Sequence, residues 1–393
     1  MPNSREKAVL RVLHVIESAD PRRGGPIEGV RQLSEIGRRW GQVTDAVTFD
    51  RPDAPFLKDN PFTAIALGPV HHKYGYTPRL VPWLRSNAKN YDIVIVNGLW
   101  QYNGLAVWRA VPDSGVPYIA FPHGMLDPWF RRAHPLKHLK KLVYWALVER
   151  AMLRDARAVC FTCQEELELA QHTFPAYRGR NVVTGYGTAG PRGDPEACVA
   201  AFFAEFPRLA DRRIVLYLGR VHEKKGCDLA IRAFAAIAGR DPSLEFVIAG
   251  SADGALKRRL VQLSEREGIA DRITWAGMLT GERKWGALYA AQVFVLPSHQ
   301  ENFGIAVAEA LGCGTPVAIS NKVNIWREIA ASGAGWVADD TDDGARATLE
   351  SWLALDAAGQ QAARVRARRC FERHFDIATV GERFHELMLA VVR

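Results

Sequence analysis

The sequence lacks long apolar runs and has few cysteines, and both features exclude classes of protein. No stretch approaches the roughly 20 uninterrupted apolar residues that a membrane-spanning helix needs. Arg11 and His14 break the first apolar segment and no small-residue cleavage site follows, so we expect no secretory signal. Only Cys160 and Cys163 form a CxxC pair, and no second pair completes a zinc site. We expect strand-end packing for this pair, a redox role being the alternative, and a reducing cytoplasm for the protein.

The composition is that of a globular protein, and the charge does not identify a polymeric partner such as nucleic acid. The chain is 48% hydrophobic and 24% charged, which argues against disorder. Its 393 residues exceed one ordinary core and predict two or three domains. The net charge of +8 suits polyanions, acidic lipid headgroups and phosphorylated metabolites alike. Because no nucleic-acid-binding motif is present, we expect no nucleic acid partner.

Apolar runs of strand length alternate with longer helical segments, which predicts parallel sheets covered by helices. In the first half we predict strands at residues 9–16, 43–49, 91–96, 117–121, 158–162 and 181–184, and helices at 29–40, 136–154 and 165–171. In the second half we predict strands at 214–218, 244–249, 273–275, 293–296 and 316–319, and helices at 227–238, 255–267, 282–290 and 305–311, followed by a helical tail over 345–393. The Gly- and Pro-rich passage 185–195 marks the boundary between two open α/β domains.

Ligands of open α/β sheets bind beyond the carboxyl ends of the strands, so the loops after strands are the candidate sites. Arg220 and Lys225 follow the predicted strand 214–218 and precede the helix that begins near Cys227. Two long cations beside a helix N-terminus suit a diphosphate. An ordinary solvated loop carries the same charges, and the spacing alone leaves both interpretations open.

Two glutamates mark the start and the middle of the predicted helix 305–311. At 100° and about 1.5 Å per residue, Glu301 and Glu309 lie about 80° apart around the axis and about 12 Å apart along it. Acceptors so spaced suit hydroxyls at the two ends of a nucleotide-sugar, with the helix-start amides at 303–305 taking the anion. The alternative is helix-start charge and a surface residue. We favour the functional interpretation because Glu309 interrupts an apolar helix, where a carboxylate needs a partner.

Two features of the first half also follow predicted strands. Gly24 and Gly25 lie between the first strand and its helix, where glycines allow close backbone approach to a ligand or simply make a tight turn. His123 comes after the apolar segment 118–121 and before Gly124. A single histidine in such a place is more often structural than functional.

Together these segments resemble glycosyltransferase family 4. The resemblance rests on PSHQENFGIAVAEALGCGTPV, GRVHEKKG, HVIESADPRRGGPIEGV and PHGMLDPW, which occur in the family's order over nearly the whole chain. It implies a GT-B fold, with two Rossmann-like, doubly wound α/β domains facing across a cleft. The expected domains are an acceptor-side domain at 1–195, a donor-binding domain at 196–375, and a C-terminal helix at 376–393 that packs back on the first domain.

The resemblance also implies a role for each matching position. Arg220 and Lys225 would hold the donor diphosphate, Glu301 the transferred sugar and Glu309 the ribose hydroxyls. His123 would reach the donor sugar from the first domain. The expected catalytic residues are therefore His123, Glu301, Arg220 and Lys225, and the expected donor-binding residues are Gly24, Gly25, Gly250, Met278, Asn302, Phe303, Gly304, Ile305 and Glu309.

The chain departs from the family pattern at two places. Asn97 stands where related sequences often carry histidine, so we expect a different hydrogen bond there. The loop 321–328 lacks the glycine often found before its acidic residue. An Asp-x-Asp also occurs among Asp339, Asp340, Asp342 and Asp343, but helix-start charge explains these residues better than a metal site does. We expect no catalytic metal and no cofactor.

A basic segment with interleaved aromatic residues follows His123. Its cations suit an anionic membrane surface or a lipid-diphosphate acceptor, and a solvated helix face with an apolar side in the core is the alternative. The predicted contact residues are Arg131, Arg132, Lys137, Lys140 and Lys141.

The resemblance thus implies a retaining glycosyltransferase, and we expect it to be metal-independent. It would move a hexosyl unit from a UDP- or GDP-sugar to a hydroxyl of a glycan or lipid-linked acceptor, in the cytoplasm or at the inner face of the cytoplasmic membrane. By family analogy, bacterial surface polysaccharide synthesis is the expected context. The alternatives are a GT-B nucleotide-sugar epimerase or hydrolase, and a non-catalytic nucleotide-sugar-binding or membrane-scaffold protein.

Overall fold

The chain folds into two compact units. A computed structural model describes residues 9–70, 72–128 and 135–393, with the backbone alone for 135–137. The first unit comprises Met1–Gly187 and Ile377–Arg393, and the second comprises Thr188–Asp376.

A seven-stranded, all-parallel sheet forms the centre of the first unit. Its strands are β1 Arg11–Val15, β2 Val43–Thr48, β3 Thr63–Ala66, β4 Ile93–Asn97, β5 Tyr118–Phe121, β6 Ala158–Phe161 and β7 Asn181–Val183. The spatial order is β3-β2-β1-β4-β5-β6-β7, so the order reverses between β1 and β4. Strand β4 reads IVIVN and is buried at every residue, as expected for a central parallel strand with helices on both faces. The carboxyl ends of β1 and β4 therefore form the topological switch point, where such sheets bind ligands.

The helices of the first unit cover both faces of this sheet. They are Gly25–Gly37, Leu80–Asn87, Tyr102–Ala110, Pro135–Tyr144, Arg150–Asp155, Gln164–Thr173 and the C-terminal Ile377–Val392, and a π-helical turn at Trp145–Glu149 joins the fourth to the fifth. The C-terminal helix packs on this unit: His385 stacks on Trp40 at 5.3 Å between ring centroids, and Phe384 contacts Phe121. The predicted return of the C-terminal helix to the first domain is thus what the structure shows.

The second unit has a six-stranded, all-parallel sheet. Its strands are β8 Arg213–Leu218, β9 Leu244–Ala249, β10 Ile273–Gly277, β11 Ala291–Leu296, β12 Val317–Ser320 and β13 Gly335–Ala338. The order is β10-β9-β8-β11-β12-β13, which reverses between β8 and β11. The loops that follow these two strands, 219–226 and 297–304, hold the cations and the first glutamate singled out from the sequence.

Helices also cover this second sheet. They are Pro195–Glu205, Cys227–Ala238, Gly254–Arg266, Gly281–Ala290, Ile305–Gly312, Trp326–Ala331, Asp342–Leu353 and Ala357–His374. The long helix Ala357–His374 caps the C-terminal end of Ile305–Gly312, because Arg368 donates a hydrogen bond to the carbonyl of Gly312 at 2.5 Å. A cation at this end complements the helix dipole and orients the helix whose N-terminus follows Glu301.

Several predicted boundaries differ from those in the structure. The predicted domain boundary at 195 lies eight residues beyond the crossing at Gly187, because Thr188 bonds to the carbonyl of Phe375 and the segment packs within the second unit. The first helix begins at Gly25 rather than at residue 29, since Pro26 fits the first helical turn, where its missing N–H costs nothing. The predicted helix 136–154 contains the π-helical turn, and the predicted tail divides into three helices.

The sequence did not predict the strands β3 and β13 or the helices Leu80–Asn87, Tyr102–Ala110 and Pro195–Glu205. Both strands have only four residues and lie at the sheet edges, where half-exposed positions weaken the apolar signal.

Candidate functional site

The loop after β8 presents three cations within six residues. Arg220 is exposed, while Lys224 and Lys225 are half-buried in a 3-10 turn that the His222 side chain caps. Gly226 ends the turn at φ +63°, and an added Cβ there would overlap the Pro297 carbonyl. A glycine is therefore needed for this loop to approach the loop after β11 so closely.

Lys224 joins the two loops directly. Its carbonyl accepts a hydrogen bond from the His299 amide at 2.8 Å, and its Nζ donates to Gln300 Oε1 at 3.1 Å. His299 also contacts Asp340, with 2.8 Å between Nδ1 and Oδ2. The cations after β8 and the polar loop after β11 therefore form one cluster, which we call the switch-point cluster (residues 220–225 and 298–305).

Lys225 and Glu301 form an ion pair at the centre of the switch-point cluster. Their side chains are 17% and 18% exposed. Desolvation, followed by the like charges of Lys224 and Arg220, lowers the pKa of Lys225 to about 7. A bound anion would favour the charged ammonium, which suits a diphosphate at this loop.

The segment after Glu301 leads into the helix Ile305–Gly312. The Glu301 amide donates to the Lys322 carbonyl at 2.9 Å, and Asn302 Oδ1 accepts from Asn324 at 3.4 Å. Phe303 is buried and its ring meets Phe375 edge-on at 5.6 Å, so only its backbone can face a ligand. Gly304 is the N-cap at φ +77°, and the helix that begins at Ile305 directs its first amides toward the cluster's side of the sheet.

Glu309 has the partner that its apolar surroundings require. Lys284 Nζ lies 2.7 Å from Glu309 Oε1, and the two side chains are 23% and 11% exposed. We expected Glu309 to bind ribose hydroxyls, whereas in the structure its partner is Lys284, a cation of the helix Gly281–Ala290. Glu309 of this pair lies in the second half of the helix Ile305–Gly312, and the switch-point cluster includes the first residue of the same helix.

Gly250 and Met278 lie at neighbouring strand ends. Gly250 donates its amide to the Gly277 carbonyl at 2.6 Å, and an added Cβ would overlap the Gly219 carbonyl. Met278 is 65% exposed just beyond β10. The two residues, both expected to bind the donor, thus flank the carboxyl edge of β8, β9 and β10.

In the first unit, Asn97 bridges two histidines at the topological switch point. Asn97 Nδ2 donates to His14 Nδ1 at 3.1 Å, and Asn97 Oδ1 accepts from His123 Nε2 at 3.2 Å. Burial lowers the pKa of His14 to about 3 and that of His123 to about 4. Both imidazoles are therefore neutral at pH 7, and His123 retains Nδ1 as an acceptor. These two contacts are the hydrogen bonds that asparagine makes at position 97; whether they differ from those of a histidine stays a prediction.

His123 lines a pocket of the first unit together with Pro26 and Gly29, from the helix that follows Gly24. The pocket is lined by His14, Pro26, Gly29, Asn97, Phe121, His123, Tyr186 and Phe384, among others. Gly24 has φ +93° and caps the helix, and the Gly25 carbonyl accepts a hydrogen bond from the Tyr186 hydroxyl. His123 itself has φ +50°, a strained conformation for a residue other than glycine, and such strain is frequent at functional sites.

Glu166 holds the turn that carries His123. Its carboxylate accepts from the Gly124 amide at 2.6 Å and from the Thr162 amide and hydroxyl at 2.7 and 2.6 Å. Cys163 caps the same helix, since its sulfur accepts from the Glu166 amide. Cys160 and Cys163 are both buried, in keeping with the packing role expected for the pair.

The basic segment after His123 is described only in part. Arg131 and Arg132 and the side chain of Lys137 lie outside the described residues. Lys140 is exposed, but Lys141 Nζ lies over the Trp100 ring at 4.6 Å. The exposed face carries Leu139, Val143 and Leu147, which are 62%, 58% and 69% exposed.

The four aspartates after β13 have separate partners. Asp339 pairs with Asn321, Asp340 with His299, Asp342 with Arg232 and Asp343 with Arg346. Over residues 9–70, 72–128 and 135–393, no three His, Cys, Asp or Glu side chains converge as a metal site requires. Along the same ranges, no helix has the length and apolar composition needed to cross a membrane.

Sequence patterns did not identify Lys284, His14 or Glu166. Lys284 and Glu166 are charged residues within amphipathic helices. Nothing in the spacing of the sequence indicates which buried group each side chain contacts. His14 was noticed only as an interruption of an apolar strand. A polar residue inside a buried central strand is itself the signal that would have identified it.

Two protein families match the chain, one in each half. "Glycosyl transferases group 1" matches residues 200–368, and "Glycosyl transferase 4-like domain" matches residues 24–187. The D-inositol 3-phosphate glycosyltransferase of Mycobacteroides abscessus is 38% identical over 121 residues, which are 30% of this chain and 26% of that protein. Matches to three further proteins of that name span 32%, 46% and 35% of their lengths, so the chain aligns with under half of each.

Other matches cover nearly the whole chain. The GDP-mannose:cellobiosyl-diphosphopolyprenol alpha-mannosyltransferase of Xanthomonas campestris is 23% identical over 381 residues, 95% of each protein. The solved structure of Anabaena HepE in complex with UDP-glucose superposes with a TM-score of 0.75 at 16% identity, covering 97% of this chain and 100% of that one. At that identity the superposition shows a common fold.

Proposed function

Because the chain belongs to the group 1 glycosyltransferases of family 4 and has their GT-B fold, we propose that it transfers a hexosyl unit from a UDP- or GDP-sugar to an acceptor hydroxyl. The anomeric configuration of the sugar is retained, and neither a metal nor another cofactor takes part. The acceptor is a glycan or a lipid-linked glycan of a bacterial surface polysaccharide.

The switch-point cluster is the observation that carries this proposal. Arg220, Lys224 and Lys225 lie at the carboxyl end of β8, and Glu301 and the helix start follow the neighbouring β11. Cations and helix-start amides at one sheet edge suit a diphosphate, while Glu301 and Glu309 are acceptors for hydroxyls on either side of it. The solved HepE complex contains UDP-glucose, and the Xanthomonas relative is named for GDP-mannose, so both donors are candidates.

The proposed chemistry depends mainly on charge. The bond between the anomeric carbon and the donor phosphate oxygen breaks while the acceptor oxygen bonds to the same face of that carbon. The acceptor proton passes to the departing diphosphate. Arg220, Lys225 and the helix-start amides stabilise the negative charge that develops on the diphosphate, a preorganised field of the kind that dominates many enzyme rates.

Neutral His123 contacts the transferred sugar in this proposal. His123 Nε2–H donates a hydrogen bond to Asn97 Oδ1, so Nδ1 accepts a hydrogen bond from a sugar hydroxyl. An uncharged imidazole suits this role, because a cation there would oppose the positive charge that develops at the anomeric carbon.

The acceptor is proposed to lie at a membrane surface. Leu139, Val143 and Leu147 form an exposed apolar face beside Lys140, a pattern typical of interfacial helices on anionic lipid. The Xanthomonas relative is named for a diphosphopolyprenol-linked acceptor, which is anchored in lipid. The enzyme would then work at the inner face of the cytoplasmic membrane.

A donor screen with the purified full chain tests the function. UDP-glucose, UDP-galactose and GDP-mannose are each incubated with lipid extracts containing polyprenol-linked glycans, with and without EDTA, and nucleotide release is measured. We expect acceptor-dependent release that EDTA leaves unchanged, and NMR of the product should show the donor's anomeric configuration. Release without any acceptor would favour the epimerase or hydrolase alternative, and donor binding without turnover would favour the binding protein.

A further inference from the structure

Lys284 and Glu309 form an ion pair that is largely removed from water. Glu309 lies within the helix Ile305–Gly312 among fully buried neighbours, and Lys284 reaches it from the helix Gly281–Ala290 at 2.7 Å. The Lys284 ammonium also lies 4.1 Å from the centre of the Trp285 ring, so the ammonium has a second contact besides Glu309. The pair is thus a fixed feature of the second unit.

The charge of Lys284 decides the hydrogen-bonding character of Glu309. A carboxyl group in apolar surroundings tends to take up a proton, and an adjacent cation favours the ionised form. An ionised carboxylate accepts hydrogen bonds through both oxygens, whereas a protonated carboxyl has a donor on one of them. A vicinal diol needs an acceptor that is present in a single form and orientation.

We propose that Lys284 is a positioning residue that keeps Glu309 an ionised, oriented acceptor for the ribose 2′- and 3′-hydroxyls of the donor nucleotide. The inference rests on the proposed function, in which Glu309 receives the ribose. It adds a specificity element: Lys284 is required for the protein to distinguish ribonucleotides from 2′-deoxyribonucleotides.

Calorimetric titration of the full chain with UDP, 2′-deoxy-UDP, GDP and 2′-deoxy-GDP tests the proposal. For whichever base binds, the dissociation constant of the deoxynucleotide divided by that of the ribonucleotide should be about tenfold or more in the unaltered protein, as for a lost hydrogen bond to a charged group. In Glu309→Gln the ratio should fall below about threefold. In Lys284→Met it should fall as far, with the ribonucleotide bound about 10- to 100-fold more weakly.

Matched variants separate positioning from general damage. Arg283→Met removes the neighbouring cation, which pairs with Glu205 at the surface, and should leave the ratio unchanged. Lys284→Arg keeps the charge and should restore discrimination to within about threefold of the unaltered protein. Should Lys284→Met fail to fold, Lys284→Gln removes the charge while keeping a donor, and the ratio should fall there too.

The outcomes for the inference and for the proposed function differ. If Glu309→Gln loses discrimination while Lys284→Met keeps it, the role of Lys284 is wrong and the proposed function stands. If no nucleotide binds, or if Glu309→Gln discriminates as well as the unaltered protein, the proposed donor site is wrong, and the inference is wrong with it.

Discussion

The carboxylate of Glu166 holds the backbone amide of Gly124 at 2.6 Å, so a helix after β6 fixes the turn after β5 that carries His123. The turn needs such support because His123 has φ +50°, a conformation that costs about 1–3 kcal/mol outside glycine. Glu166 also accepts two hydrogen bonds from Thr162, which orient its carboxylate. The placement of the imidazole therefore depends on a buried group that itself need not touch a substrate.

Replacement of Glu166 by glutamine should lower turnover about 10- to 100-fold. The glutamine amide would direct a donor at one of the three N–H and O–H groups that Glu166 accepts, and the turn would relax. Nucleotide affinity should stay within about twofold, because the proposed nucleotide site lies in the second unit. Steady-state kinetics and UDP or GDP titration measure both quantities. Glu168→Gln, which alters the pair that Glu168 forms with Gln164 on the same helix, is the control. An unchanged kcat in a folded Glu166→Gln protein would contradict the proposed role of the turn.

Replacement of Lys225 by alanine should lower kcat at saturating donor about 10²- to 10³-fold. Its ammonium is a half-buried cation of the switch-point cluster, and loss of one preorganised group that stabilises developing negative charge has that effect elsewhere. The control is Arg240→Ala, which removes an exposed cation paired with Glu350, before the amino end of β9. Turnover that stays within threefold in Lys225→Ala would remove this residue from the charge-stabilising role.

Acidification should destabilise the first unit through His14 and His123. Their folded pKa values of about 3 and about 4 lie below the ordinary value of 6.5, so the unfolded chain binds protons that the folded chain does not. Their contribution to stability is complete above pH 6.5 and is lost as the pH falls toward 4, by at most about 1.4 kcal/mol per pH unit for each group.

Urea unfolding followed between pH 7 and pH 4.5 measures this effect. Carboxylates also contribute to acid instability, so the informative quantity is the difference between variants. His14→Asn should reduce the slope of the unfolding free energy against pH, and His14→Asn with His123→Asn should reduce it further. Equal slopes in all three proteins would show that the buried histidines do not carry the acid sensitivity.

The family resemblance and the fold class predicted from the sequence are confirmed. The reason lies in the arrangement of neighbouring strands. In a parallel sheet the carboxyl ends of neighbouring strands lie at one edge, so a basic loop after β8 and an acidic loop after β11 had to meet once the strands paired. The contact between Lys225 and Glu301 follows from that topology. The catalytic and donor-binding roles assigned to these residues stay predictions.

The contacts between helices could not be predicted from the sequence. Lys284 meets Glu309 only because an amphipathic helix and an apolar helix pack at one particular rotation, which no single helical period determines. Glu166 likewise depends on the relation of a helix to a neighbouring turn. The domain boundary was placed too late because glycine and proline mark a loop, whereas contacts made after folding decide which unit the loop joins.

The exposed face of Leu139, Val143 and Leu147 should bind anionic membranes. Each side chain is more than half exposed, and burying apolar surface releases roughly 25 cal/mol per Å². Lys141 contributes less than the sequence suggested, since its ammonium lies on the Trp100 ring and burial lowers its pKa. We therefore expect apolar contact to dominate, with only a moderate loss of binding as salt rises.

Sedimentation with vesicles of phosphatidylglycerol and phosphatidylcholine measures this binding. The combined substitutions Leu139→Ser, Val143→Ser and Leu147→Ser should weaken the partition of the protein into vesicles about tenfold or more while leaving nucleotide binding unchanged. Val365→Ser removes a comparably exposed apolar side chain from the helix Ala357–His374 and serves as the control. If the unaltered protein does not sediment with anionic vesicles at low salt, this face has another purpose. In that case the acceptor is more simply a glycan free in solution, because an enzyme without membrane contact has little access to a diphosphate held at the lipid surface.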